Sequence, residues 1–306
     1  MSDVVQSAGA SASASPEGEV AFRRILWACD FSPCSLDALR WILPIAKAYE
    51  SEIAALHVMP TTVPPGEGPL SFTNPALLQP HRHHDASAAL DRYVAPAVAA
   101  SVRATVTLRE GKPIHEILDM AERLPADLVV LGTHGRCAFE RSVIGSVAEA
   151  VVGRAPCPVV TVPTSAAPAS VFGMPGTVLC ATDFSTHATA ALLYANSIAA
   201  KGGADLVLVH VVEPDTLAND RERVREGEQR LRQVATGDQV PGCNVERIVA
   251  FGSAAPEILR IAQERKAGLV VMGTHGSRTL HSVLFGSTAR RVIRDAPCPV
   301  LSLRRT

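Results

Sequence analysis

Apolar side chains never run for as many as about eighteen consecutive positions, so no segment reads as a helix able to cross a membrane. Neither charge is in excess, since 29 Lys and Arg stand against 30 Asp and Glu. A nucleic acid or an anionic membrane would call for a basic excess on some face, so neither is expected as a partner. The seven cysteines lack the dense spacing of a disulfide scaffold, which suits a reducing cytoplasm. Residues 1–20, rich in Ser, Ala and Gly, have neither the positive start nor the apolar middle of a secretory leader. They read as a disordered lead-in.

What the chain does have is one pattern written twice. Leu131-Gly132-Thr133-His134-Gly135 is followed by Gly145-Ser146, and Met272-Gly273-Thr274-His275-Gly276 by Gly286-Ser287. Each copy follows a short apolar run, Leu128-Val129-Val130-Leu131 or Leu269-Val270-Val271-Met272, with the length and branching of a buried strand. A strand that ends in glycines can turn sharply and let a ligand approach its backbone. A helix that starts at Gly-Ser leaves N–H groups facing outward at the positive end of its dipole. That arrangement suits an anion, phosphate above all.

The 306 residues, 47% of them hydrophobic, can supply two cores. Asp30 to Asp183 and His57 to His210 are offsets of 153, whereas Gly111 to Gly252, Gly132 to Gly273 and Gly145 to Gly286 are offsets of 141. The first copy therefore carries 12 extra residues before Gly111. The expected domains are 21–163 and 176–306, joined by a Pro, Ala, Ser and Gly linker at 164–175. Strands alternate with helices in each, which predicts a parallel sheet with right-handed crossovers, covered on both faces. In the first half the expected strands are 24–29, 52–58, 102–109, 127–131 and 158–162. Helices are expected over 35–50 and 85–99, after Gly111-Lys112-Pro113, and from Gly145 or Ser146, with a Pro- and Gly-rich loop over 60–80.

The spacing G-x2-G-x9-G-[ST] resembles the nucleotide-binding signature of the universal stress protein family. Further landmarks carry the resemblance: Asp30-Phe31-Ser32 and Asp183-Phe184-Ser185, His57-Val58 and His210-Val211, and Ala-Pro-Cys-Pro-Val at 155–159 and 296–300. The resemblance implies two tandem Rossmann-like (adenine nucleotide α-hydrolase-like) α/β domains, each a five-stranded parallel sheet of order 3-2-1-4-5. It also implies an internal pseudo-dimer joined along the fifth strands, with further dimerisation of the whole chain allowed, and unnamed protein partners.

Residue by residue, the resemblance sets Asp30 and Asp183 near the ribose, and the main chain of Val58 and Val211 at the adenine edge. Gly132, Gly135, Gly145 and Ser146, with Gly273, Gly276, Gly286 and Ser287, match the phosphate-holding positions. Val147 and Thr288 follow in the helix and could add N–H groups. His134, Arg136, His275, Ser277 and Arg278 lie in or beside the glycine loops, where arginine could neutralise a phosphate. Arg136 corresponds to Ser277 rather than to Arg278, so the two sites are not expected to be equal. The implied ligand is ATP with Mg2+, and the implied role a stress sensor or regulator.

Plainer readings stand beside these. The carboxylates of Asp30 and Asp183 could cap the following helix. Cys29 and Cys34 read as a small core residue and a helix-start residue rather than a redox couple, and Cys157 and Cys298 as buried small residues. The mixed charges of residues 220–233 read as a solvated helix face. His81, His83, His84 and Asp85 invite a metal reading, but a His-rich loop is the better expectation. No Lys follows the glycines as in G-x4-G-K-[ST], so slow or absent turnover is expected. The alternatives are a weak ATPase or nucleotidyl-transfer enzyme on the same fold, and a nucleotide-independent interaction module. Adenylating relatives carry a Ser- and Gly-rich loop after the first strand; here that place holds Asp30-Phe31-Ser32-Pro33.

Overall fold

The computed structural model describes residues 20–60, 75–133, 144–163, 173–215, 219–234, 243–275 and 286–304, with side chains described only from residue 83 in the second segment. The first half runs β1 (Arg24–Ala28), α1 (Pro33–Ala48), β2 (Glu52–Met59), α2 (Pro75–Ala99), β3 (Arg103–Glu110), α3 (Pro113–Arg123), β4 (Leu128–Gly132), α4 (Ser146–Arg154) and β5 (Val159–Val162). The second repeats it as β6 (Thr177–Ala181), α5 (Thr186–Gly202), β7 (Asp205–Val212), α6 (Asp220–Gln233), β8 (Val245–Phe251), α7 (Ala254–Glu264), β9 (Leu269–Gly273), α8 (Ser287–Asp295) and β10 (Val300–Leu303).

Strand alternation divides the core into two layers. Ile25 and Trp27 of β1 point into one apolar layer with Leu39, Leu90, Ile198 and Leu231, residues of α1, α2, α5 and α6. Leu26 between them points into the other, with Ile117, Val151, Ile258 and Val292 of α3, α4, α7 and α8. Strands covered on both faces must be apolar throughout, and Leu128–Leu131 and Leu269–Met272 are buried at every position. Helices α1 and α5 start where the Ser32 and Ser185 side chains accept the N–H of Ser35 and Ala188, satisfying donors the helix cannot.

Each half has the strand order expected, 3-2-1-4-5, and the halves merge into one ten-stranded sheet, β3-β2-β1-β4-β5-β10-β9-β6-β7-β8. The seam is antiparallel, with Leu301 opposite Val160, Val300 opposite Thr161 and Ser302 opposite Val159. Val160 and Leu301 are equivalent positions of the two copies, so a pseudo-two-fold axis passes between them. Each fifth strand covers the other's unpaired edge, so both edges are buried inside the chain.

Some expectations need correcting. Helix α2 starts at Pro75, ten residues before the expected start at Asp85, so Pro80 lies inside it rather than in a loop. Proline at the first helical position lacks only an N–H that would have had no helical partner, so Pro75 begins the helix instead of breaking it. His83 and His84 therefore lie on a helix, and His83 Nε2 meets Glu110 Oε1 at 2.6 Å. Among the described residues no His, Cys, Asp and Glu group is placed to hold a metal; the His81 side chain lies outside them. Val106 on β3 is 43% exposed because β3 is an edge strand. No disulfide joins any two of the six described cysteines, and burial pushes the thiols of Cys157, Cys180 and Cys298 up to about 12. No described helix is long and apolar enough to cross a membrane.

Candidate functional site

In each half the first strand lies between the second and the fourth, and chain connectivity reverses there. The carboxyl ends of β1 and β4, and of β6 and β9, therefore flank a crevice at the switch point, where doubly wound sheets bind ligands.

The end of the first strand is built alike in both halves. Cys29 N–H still joins the sheet through Leu56 O, at 2.8 Å. Asp30 Oδ1 then accepts the N–H of Ser32 at 3.0 Å, and Asp183 Oδ1 that of Ser185 at 3.0 Å, each next to the helix cap. The helix caps are Ser32 and Ser185, so these carboxylates do not cap the helix as the plain reading had it; they hold the turn just before it, at the crevice mouth. Between them and the caps, Phe31 and Phe184 both have φ 61°, a left-handed backbone that is rare for a bulky side chain. Both rings are held by a histidine near the end of the next strand: Phe31 lies 4.1 Å from the His57 ring and Phe184 4.5 Å from that of His210. The two imidazoles are fixed in turn, because Nδ1 of His57 donates to Cys29 O at 2.7 Å and Nδ1 of His210 to Thr182 O at 2.9 Å. A carbonyl can only accept, so both rings carry their proton on Nδ1.

Val58 and Val211 lie two residues beyond the last rung joining the first and second strands, which are Ala28 with Leu56 and Ala181 with Val209. At the fourth strands, Gly145 N–H donates to Thr133 O at 2.9 Å and Gly286 N–H to Thr274 O at 2.8 Å, closing the base of each glycine loop. The threonines are buried and tied to the fifth strands: Thr133 N–H donates to Val162 O and Thr274 N–H to Leu303 O. Helices α4 and α8 start at Gly145 and Gly286 with no side-chain cap, unlike α1 and α5. Ser146 and Ser287 are exposed there, and Val147 and Thr288 half-buried.

In the second half these elements enclose a cleft of about 750 Å³. Of the sequence-predicted residues it brings together Asp183, Val211, Gly273, His275, Gly286, Ser287 and Thr288. His134, Gly135 and Arg136, with Gly276, Ser277 and Arg278, lie outside the described residues. In the first half Asp30, Val58, Gly132, Gly145, Ser146 and Val147 occupy the equivalent strand and helix ends. Gly132 is needed for packing as well: a Cβ there would lie 2.6 Å from Cys34 Sγ.

Sequence reasoning missed the wall of the second cleft. Arg223, Glu226 and Arg230 line it from α6, the helix read as a solvated face. One signal was present in Gly227, since glycine inside a helix costs about 1 kcal/mol relative to alanine and needs a reason. Here a Cβ would lie 2.9 Å from His210 Cδ2, so the glycine lets α6 close onto the imidazole. Burial holds His210 below the usual histidine range, and the Arg230 and Arg223 charges push the same way, against the Thr182 carbonyl and Asp183.

Fold and crevice define a class: tandem doubly wound α/β domains, each with its switch-point site formed by strand ends and an uncapped helix. Residues 21–163 and 174–304 each match the profile of the universal stress protein family. The chain belongs to that family. It is 28% identical over 290 residues to a universal stress protein of Mycolicibacterium smegmatis, covering 92% of this chain and 96% of that one. A universal stress protein of Methanocaldococcus jannaschii is 34% identical over 148 residues, 47% of this chain and 84% of that one. The crystal structure of a universal stress protein from Archaeoglobus fulgidus superposes with a TM-score of 0.72 at 25% identity, over 94% of this chain and 98% of its own.

Proposed function

We propose that each half binds an adenine nucleotide, ATP carried with Mg2+, and that the chain acts in the cytoplasm as a nucleotide-dependent stress sensor or regulator with slow or absent turnover. The observation that carries this reading is the second-half cleft, where Asp183, the Val211 main chain and the uncapped start of α8 line one space. Its volume, about 750 Å³, lies within the range of small-molecule sites.

The residues fit the ligand chemically. The Ser287 and Thr288 N–H groups and the Thr288 hydroxyl, at the positive end of α8, suit phosphate oxygens. The Asp183 carboxylate suits ribose hydroxyls, and main-chain groups of Val211 suit the edge of adenine. Mg2+ binds chiefly through phosphate oxygens and water, so it asks little of the protein. The glycine-loop residues 134–136 and 276–278 complete the proposed sites. Slow turnover follows from the missing P-loop lysine, and a stable nucleotide complex suits a sensor better than an enzyme.

Mass spectrometry of ligand retained by the native protein, followed by calorimetric titration with Mg2+ and ATP, tests the proposal. Retained adenine nucleotide and saturable binding are expected. No association at millimolar nucleotide would sink it. Light scattering on the same samples gives the oligomeric state: because β5 and β10 pair with each other, a second copy would have to join through other surfaces.

A further inference from the structure

The two crevices have different outer walls. In the first half α2 presents Tyr93, whose O–H donates to Phe31 O at 2.9 Å and whose ring meets that of Phe31 edge-on at 5.3 Å. In the second half α6 presents guanidinium groups, and that of Arg230 lies over the Phe184 ring, 4.1 Å from its centre. Arg230 lines the cleft but is not paired with any carboxylate among the described residues. Its neighbours are engaged: Arg223 donates to the Glu213 carbonyl at 2.7 Å and pairs with Asp220 at 3.5 Å. Glu213 Oε1 accepts the N–H of Ala254 at 3.3 Å, and Asp183 Oδ1 that of Ser185.

We propose that Arg230 reads the ligand of the second cleft, its guanidinium contacting the anionic part of the bound molecule, and that it makes this cleft the tighter-binding of the two. The inference rests on the nucleotide reading given above. An arginine held over an aromatic ring leaves N–H donors directed away from the ring, where they can form a fork matched to phosphate or carboxylate oxygens. The stack also fixes the side chain in advance, so less freedom is lost on binding. The charge lies at the cleft, since Arg230 is one of its lining residues. Tyr93 offers no such group in the first half.

Calorimetric titration of the full chain tests this, with Mg2+ and ATP in one series and adenosine in another, each at low and high salt. Wild type is expected to show two unequal classes of ATP site. In Arg230→Ala the tighter class weakens about tenfold to a hundredfold, the worth of a charge-assisted contact, and loses part of its salt dependence. The weaker class stays as it was, and adenosine binding changes little. Arg230→Lys restores part of the affinity through its charge without the planar fork. Two equal ATP sites in wild type, or an unaltered tight class in Arg230→Ala, would overturn the inference and leave the nucleotide reading intact. Equal losses for ATP and adenosine would overturn it too, reducing Arg230 to a packing partner of Phe184. Failure of wild type to bind ATP at all removes the nucleotide reading and this inference with it.

Discussion

Glu149 and Arg290 stand at the same position of the two copies, one in the first turn of α4 and the other in the first turn of α8, and their side chains meet at 2.6 Å. The axis relating Val160 to Leu301 also relates this pair. Were the two copies identical in sequence, like charges would face each other here. Glu149→Arg or Arg290→Glu alone recreates that situation. Arg290 is half exposed, so the effect is modest, about 0.2–1 kcal/mol, or roughly 1–3 °C in melting temperature for each single variant. The double charge swap should recover most of the loss in thermal melts; no recovery would mean that the pair does not contribute.

Gly132 is fixed by packing independently of any ligand. Alanine there would set its Cβ 2.6 Å from Cys34 Sγ and 3.2 Å from the Cys34 backbone. Gly132→Ala should cost about 1–3 kcal/mol in urea melts, and adding Cys34→Ala should recover part of it. Gly176→Ala, with nothing within 4 Å of the new methyl, should be close to neutral.

The seam between the halves holds one unsatisfied group. Ser302 Oγ is buried and has no hydrogen-bond partner among the described residues. Removing a desolvated, unpaired hydroxyl should not destabilise the protein, so Ser302→Ala is expected to match wild type or exceed it by about 0.5–1 kcal/mol. A clear loss of stability would show that the hydroxyl is satisfied in solution.

His210 links stability to pH. Its folded-state value lies below the usual one, so the folded protein binds fewer protons there than the unfolded chain. The stabilisation is full above the unfolded value of about 6.5 and is lost as pH falls from there through the lower folded value. Urea midpoints at about pH 7.5 and 5 should therefore differ more for wild type than for His210→Gln, whose amide can still donate to the Thr182 carbonyl. NMR titration should find the imidazole value raised in Arg230→Ala, since that change removes a neighbouring cation.

Much of this protein is legible in the chain itself. Matched landmarks in a fixed order placed the five strands of the first half and the starts of α1, α3 and α4 to within about two residues, because buried parallel strands are apolar throughout and helix starts carry Ser, Gly or Pro. Helix α2 was misplaced because prolines and glycines before it resemble a loop, whereas Pro75 opens the helix. Asp183, Gly273 and Gly286, which line the second-half cleft, stand out in the sequence because backbone turns restrict residue type.

The sequence by itself determined the repeat, the strands and the residues at each strand end, since burial and turn geometry act on local residue choice; the strand order came through the family resemblance. Only the tertiary structure decided that Val160 faces Leu301, that Glu149 meets Arg290, and that the charged helix α6 turns Arg230 onto Phe184 at the cleft. Those contacts join elements distant along the chain. An exposed arginine on a helix looks the same in sequence whether it faces open water or a cleft; Gly227, where a Cβ would lie 2.9 Å from His210 Cδ2, brings α6 against the cleft.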